Sequence, residues 1–194
     1  MRIIAGTARG RSIQAPAGRN TRPTLDRVRE NLFNMLQTRI GGAVVLDLFA
    51  GSGALSLEAL SRGAERAVLV DRDLKAHLCQ IRNLEQLGFT ERARVLRCEW
   101  ETAVHRLREL NEKFDLVFLD PPYQMNELSS VFNALRPLIR KDGFIVCEHQ
   151  AGHPPAVPSD YAAFRERSWG YCGVTFYRQE KESRDEQLCD SGIL

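Results

Sequence analysis

No apolar run in this 194-residue chain approaches the ~20 residues a membrane-spanning helix needs, so no membrane anchor or membrane partner is expected. A secretory leader is not expected either, because Arg9, Arg11 and Arg19 interrupt every apolar stretch near the start. Cysteine is sparse. The five cysteines (79, 98, 147, 172 and 189) are scattered, odd in number and never spaced C-x-x-C, which argues against a disulfide framework or a zinc site. They read as reduced thiols of a cytoplasmic protein. His149 and His153 are followed at once by Pro154-Pro155, so no helix can present them as a pair and no metal is expected. Repeats and low-complexity blocks are missing too. What remains is the composition of an ordinary globular chain, 43% hydrophobic and 27% charged, of a size suited to one α/β domain with appendages.

Lysine is absent from residues 1–39, yet that segment carries eight arginines (2, 9, 11, 19, 22, 27, 29 and 39) against Asp26 and Glu30. The segment is therefore +6 and the remainder, with 19 basic and 23 acidic residues, is −4. Arginine makes bidentate contacts with phosphate and stacks on bases, so a concentrated arginine patch is the footprint expected of nucleic-acid binding. Arg2, Arg9, Arg11, Arg19, Arg22, Arg27 and Arg29 are the candidate RNA contacts. A solvated basic face or a self-association arm is the alternative.

The chain is organised around V-V-L-D-L-F-A-G-S-G-A-L-S-L-E-A-L, from Val44 to Leu60. An apolar strand runs into Asp47, a glycine turn and a helix closed by Gly63, the unit that opens a nucleotide-sized crevice in an α/β sheet. A dinucleotide fingerprint wants a small third position for close helix packing; Ser56 stands there, so that match is incomplete. Asp71 ends the next apolar run, where a carboxylate can take the hydroxyls of a ribose of NAD or of S-adenosylmethionine alike.

Residues 2–15 suit a small β-hairpin with weak core content, followed by a loop. Thr24 is the expected N-cap of a helix over 25–38 whose arginines face away from its apolar stripe. Further on, helices are expected at 73–87 (Leu74, Leu78, Ile81, Leu84 and Leu87 apolar), 101–111 and roughly 127–140, the last bent or shortened by Pro137. They alternate with strands at 93–96, 114–119 and, after a turn at Asp142-Gly143, 144–148. This rhythm predicts a doubly wound parallel sheet. Two short runs, 161–169 and 172–178, then form a hairpin around Gly170, which requires an antiparallel strand. The expected organisation is an arginine-rich hairpin at 1–20, the main domain at 21–178 and a polar, flexible tail at 179–194.

Asp120-Pro121-Pro122-Tyr123 directly follows the fourth strand. It can be a simple strand-ending turn. Yet a fourth strand lies beside the first in a doubly wound sheet, so its carboxyl end opens on the same crevice as Gly51 to Gly53. A stiff backbone, an acceptor and an aromatic face together suit a planar base bearing an amine.

With D-L-F-A-G-S-G after strand one, D-P-P-Y resembles the S-adenosylmethionine-dependent enzymes that methylate exocyclic amines of bases. R-I-I-A-G-x-x-R-G-R at 2–11, T-R-P-T at 21–24 and D-R-V-R-E-N-L-F at 26–33 narrow the resemblance to the RsmD-type 16S ribosomal RNA guanine-N2 methyltransferases, over residues 2 to about 178. The resemblance implies a seven-stranded Rossmann-like methyltransferase sheet with one antiparallel strand. It implies S-adenosylmethionine held at its methionine end by Asp47 and the backbone of Phe49, Ala50, Gly51, Ser52 and Gly53, with Asp71 at the ribose hydroxyls, Glu99 at the adenine amine, and Arg72 and Trp100 as further cofactor contacts. The same resemblance implies that Asp120, Pro121, Pro122 and Tyr123 would receive the guanine and that the partner would be 16S ribosomal RNA or the small subunit; a monomer is expected. Rival readings are an N6-adenine methyltransferase on DNA or RNA and a non-catalytic RNA-binding assembly factor on the same fold. A protein-glutamine methyltransferase is weaker, because Asn typically stands there where this chain has Asp120.

Overall fold

The computed structural model describes residues 1–16, 23–122, 125 and 128–180. Arg19, Arg22, Tyr123 and the tail from 181 onward lie outside the described residues. In chain order the elements are α1 (Pro23–Ile40), β1 (Val44–Leu48), α2 (Ala54–Ser61), β2 (Arg66–Asp71), α3 (Leu74–Leu87), β3 (Ala93–Arg97), α4 (Trp100–Glu109), β4 (Phe114–Leu119), α5 (Ser129–Leu135), β5 (Ile139–Gln150), β6 (Tyr161–Trp169) and β7 (Cys172–Gln179).

The strands form one seven-stranded sheet in the order β3-β2-β1-β4-β5-β7-β6. β1 to β5 are parallel, and β7 pairs antiparallel with both β5 and β6. The expected hairpin is therefore in place, built where a tight turn at Gly170 (φ 62°) leaves no room for a parallel crossover. β1 is buried at every position, as a central strand covered on both faces should be. One face of the sheet packs under α1, α2 and α3, and the other under α4 and α5. Among the described residues, no helix is long and apolar enough to cross a membrane.

Several local expectations need correction. α1 starts at Pro23, whose missing N–H costs nothing in a first turn, so Thr24 lies inside the helix and is not its N-cap. Leu74 and Leu78 are exposed (49% and 43%); α3 instead buries Ala76, Cys79, Gln80, Asn83, Leu84 and Leu87. Asp142-Gly143 is no turn but part of the long strand β5, which bulges against β4: Phe114 pairs with Ile139 and Leu116 with Phe144. At the bulge Gly143 passes so near β4 that a Cβ would sit 2.8 Å from the Phe114 carbonyl oxygen. Pro137 shortens α5 as expected, turning its end into a 3₁₀ segment at Arg136–Leu138.

The N-terminal segment has more core content than its sequence suggests. Ile3, Ala8 and Ile13 are buried with the α1 and α2 side chains, and a single antiparallel bridge, Arg2 with Ser12, closes the hairpin. Gly6 (φ +84°) rests directly on the end of α2, where a Cβ would lie 1.9 Å from the Ser61 carbonyl oxygen. Only glycine fits there.

Candidate active site

The order of the sheet reverses at β1, between β2 and β4, so the crevice beyond their carboxyl ends is the switch point of the fold. A cavity of about 160 Å³ opens there, lined among others by Asp47, Phe49, Gly51, Ser52, Asp120 and Glu148. Met1, Ala15, Pro16 and Arg29 roof it, so the N-terminal segment and α1 cover the site.

The turn after β1 is held in left-handed backbone at Phe49 (φ 66°), Gly51 (φ 54°) and Gly53 (φ 79°). Phe49 is not glycine, and such strain persists only where the surroundings enforce it. Here they do. Gly51 N–H donates to Asp71 Oδ2 (2.8 Å), Gln80 Nε2 donates to the Gly51 carbonyl (2.9 Å), and Asn83 Nδ2 donates to the Ser52 carbonyl (3.1 Å). A Cβ on Gly53 would meet Leu69 Cδ2 at 2.7 Å. Gln80 and Asn83 are both fully buried, and the Gln80 Oε1 atom has no partner.

Asp47 is buried, and its Oδ2 accepts hydrogen bonds from the Ser56 hydroxyl (2.8 Å) and the Ser56 N–H (3.3 Å). The residue that spoils the dinucleotide fingerprint is thus the one that orients the Asp47 carboxyl. Burial, only partly offset by these bonds, pushes the Asp47 pKa up to about 7. Asp71 holds the turn through one oxygen and the Asp73 N–H through the other (2.9 Å), and keeps lone pairs for further donors. Arg72 reaches Glu99 across the end of the sheet (3.4 Å), both largely exposed, while Trp100 starts α4 half-buried. Asp120 is exposed at the end of β4, followed by Pro121 and Pro122, and the Met125 N–H closes a turn on the Pro122 carbonyl (2.8 Å).

The structure brings Asp47, Phe49 to Ser52 and Asp120 to one cavity, puts Gly53 at the start of α2 beside it, and links Asp71 to its turn. The arginines divide. Arg2, Arg9 and Arg27 are exposed around a groove of about 550 Å³ beside the N-terminal segment. Arg29, expected to contact RNA, is corrected to an internal strut: it is 5% exposed and donates to the Arg2 carbonyl (2.5 Å) and to Asp26 (3.1 Å). Arg11 donates to the Leu87 and Gln86 carbonyls at the end of α3, and so serves as a clasp there.

Sequence reasoning missed Glu58, Gln80, Asn83 and Glu148. Two left a signal: Glu58 is a lone acid in an apolar helix, and Glu148 ends an apolar run as Asp71 and Asp120 do; Gln80 and Asn83 left none, because the apolar spacing of α3 points to another face. Burial also pushes the Glu148 carboxyl upward in pKa.

Known proteins share this sequence and fold. The family model described as conserved hypothetical protein 95 matches residues 1–178. YlbH of Bacillus subtilis is 41% identical over 182 residues, spanning 92% of this chain and 99% of that one. The ribosomal RNA small subunit methyltransferase D of Escherichia coli is 36% identical over 189 residues, spanning 96% of this chain and 93% of that one. The solved structure of yhhF from Escherichia coli superposes with a TM-score of 0.80 at 36% identity, covering 93% of this chain and 98% of that one. An α/β Rossmann-like methyltransferase fold, near-complete coverage and these identities together show that the chain belongs to the conserved hypothetical protein 95 family, the RsmD family of ribosomal RNA methyltransferases.

Proposed function

We propose that this protein transfers a methyl group from S-adenosylmethionine to the exocyclic N2 amine of a guanine in 16S ribosomal RNA. The observation that carries the reading is the convergence of Asp47, the strained turn at Phe49 to Ser52 and Asp120 on one cavity at the switch point of the sheet. The donor set fits the cofactor. A buried carboxyl at Asp47 suits an ammonium, left-handed glycines let backbone close on the methionine end, and the spare lone pairs of Asp71 suit vicinal ribose hydroxyls. Glu99, which pairs with Arg72 beyond the ends of β2 and β3 (3.4 Å), is assigned to the adenine amine, with Arg72 and Trp100 as further cofactor contacts.

S-adenosylmethionine, when bound, supplies a methyl group already activated on a sulfonium. The residues must supply geometry, because the guanine N2 lone pair is delocalised into its ring. Asp120 and the Pro121 carbonyl accept hydrogen bonds from the amine and turn its lone pair toward the methyl. Positioning of this kind can lower a barrier by several kcal/mol. The N2–C bond forms from that lone pair, the S–C electrons stay with sulfur, and an N2 proton leaves to a carboxylate or solvent. Tyr123 is assigned to stack on the base once it has left its helix or loop. Arg2, Arg9 and Arg27 contact the RNA backbone, and Arg29 is no part of that set.

The direct test is transfer from labelled cofactor to unmethylated small subunits, their naked RNA and duplex DNA, followed by nucleoside digestion. N2-methylguanosine from the ribosomal samples is expected. N6-methyladenine would instead establish the adenine enzyme, and cofactor binding without product would favour the assembly-factor reading.

Cofactor affinity should depend on pH through Asp47. A carboxyl with a pKa near 7 in the folded protein is neutral below that value and negative above it. The ammonium of the cofactor needs the negative form, so binding strengthens as pH rises. From about pH 8 to about pH 6 the Kd should rise roughly tenfold, following the fraction ionised. Calorimetric titration across this range checks it, with Asp47→Asn expected to bind weakly at every pH; equal affinity at both ends would remove Asp47 from the ammonium.

A further inference from the structure

Glu148 has no role in the reaction as described so far, yet it lines the cavity shared by Asp47 and Asp120 and also a second one of about 220 Å³ with Pro121, Pro122 and Met125. Strand register explains both positions. Phe118 of β4 pairs with Val146 of β5, and side chains alternate between faces along a strand. Asp120 and Glu148, each two residues further on, therefore leave the sheet on the same face. Phe118 and Val146 belong to the core beneath α1 and α2, and so does Val45, two residues before Asp47. Three carboxyl groups from adjacent strands thus converge under the roof that the N-terminal segment makes. Neighbouring strands lie about 4.8 Å apart, which puts Glu148 beside Asp120 and not behind it. The Cys172 thiol of β7, whose pKa is raised first by burial and then by the Glu148 carboxyl, lies beside Glu148 and hydrogen-bonds to it.

The backbone that carries Glu148 is fixed. The next residue, His149, is buried, with Nε2 2.8 Å from Thr175 Oγ1 and Nδ1 2.8 Å from the Gln150 carbonyl. Gly173 faces that ring so closely that a Cβ would lie 2.5 Å from His149 Cε1. The strand end therefore has little freedom to rotate Glu148 out of the opening.

We propose that Glu148 selects the base: its carboxylate accepts hydrogen bonds from N1–H and one N2–H of the guanine, leaving the other N2–H for Asp120 and the Pro121 carbonyl. The inference rests on the guanine-N2 reading above. Guanine presents two donors side by side on that edge, and a carboxylate presents two acceptors in a matching fork. Adenine presents an acceptor, N1, beside its amine. One carboxylate oxygen would then face a lone pair, and a site that leaves a buried polar group unpaired discriminates strongly.

The test exploits the amide that replaces the carboxylate in Glu148→Gln, which offers one acceptor and one donor. That pattern is wrong for guanine but right for 2-aminopurine, which keeps the N2 amine and has an acceptor at N1. RNA carrying guanine or 2-aminopurine at the target position is assayed with both proteins, at mildly alkaline pH to keep the carboxyl ionised despite its burial. For guanine, kcat/KM should fall roughly 30- to 100-fold in Glu148→Gln, and the preference for guanine over 2-aminopurine should shrink at least about tenfold. The missing O6 of 2-aminopurine affects both proteins alike and cancels in that comparison. Glu148→Asp, which keeps two acceptors on a shorter stem, should be slower but hold the guanine preference. An equal loss on both bases would make Glu148 a structural residue and overturn the inference, as would unchanged rates. Wild-type protein that yields no N2-methylguanosine would overturn the underlying reading first, and the two failures are told apart by that control.

Discussion

Glu58→Ala is expected to destabilise the protein by about 3–5 kcal/mol, the range for removing one partner of a buried, hydrogen-bonded charge cluster. Glu58 is completely buried in α2, and its carboxylate accepts from the Ile4 N–H (2.8 Å), the Ala5 N–H (3.0 Å) and Arg62 Nε (2.7 Å). Arg29, itself 5% exposed, has its Nε 4.0 Å away. Alanine would leave two backbone donors without their acceptor and take a counter-charge from a buried guanidinium. Because a change of 1 kcal/mol moves the thermal midpoint of a chain this size by about 2–4 °C, a fall of roughly 10 °C is expected. Glu58→Gln keeps an acceptor oxygen and should lose less than half as much. Hydrogen exchange at Ile4 and Ala5 gives the local readout, since those amides should lose protection first. A midpoint within about 1 °C of wild type would show that the N-terminal segment is held by its apolar contacts alone.

That cluster ties the roof of the crevice to the helix that starts at its glycine turn. Ser61, one turn after Glu58, adds its share: its hydroxyl donates to the Ala5 carbonyl (2.6 Å) and accepts from the Ala8 N–H (2.9 Å). On the other side, Asn83 accepts from the Gln14 N–H (2.8 Å) and donates to the Ser52 carbonyl. The arginine-rich segment is therefore bonded to both ends of the cofactor-side unit.

The parts of this architecture that a sequence displays are those with a period or a punctuation mark. The buried strands announced themselves as apolar runs, Gly88 stopped α3 in left-handed backbone (φ 74°), and the glycine turn with Asp47 and Asp71 placed the crevice. The adjacency of β4 to β1 followed from the way alternating strands and helices wind. What was illegible depends on partners remote in sequence. The apolar spacing of Leu74 and Leu78 suggested a core face, but α3 turns its polar Gln80 and Asn83 inward because the turn at Gly51 and Ser52 needs their amides. Arg29 looks like any other arginine of a basic segment until it is seen buried between the Arg2 carbonyl and Glu58, 29 residues later, with Asp26 pairing it locally. Strand register, which brings Glu148 to the cavity of Asp47 and Asp120, is likewise a property of the pairing and not of any one strand.

Asp120→Ala is expected to lower kcat for methyl transfer about 10²- to 10³-fold or more, the loss that follows removal of one preorganised hydrogen-bonding group at a reacting atom. Cofactor affinity should stay within roughly twofold, because the turn after β1 is clamped by Asp71, Gln80 and Asn83 independently of β4. Stability should also change little, since Asp120 is exposed at the end of its strand. These conditions separate the residue from Asp47, whose loss should weaken cofactor binding, and from Glu58, whose loss should weaken the fold. Asp120→Asn provides the graded case. Its amide oxygen can still accept from the amine, so part of the rate should survive, whereas a role confined to taking up the proton would leave Asn as inactive as Ala. Single-turnover assays on cofactor-saturated protein read the transfer step directly. An Asp120→Ala variant that binds cofactor normally and transfers at the wild-type rate would detach Asp120 from the amine and leave the Pro121 carbonyl and Glu148 to hold it.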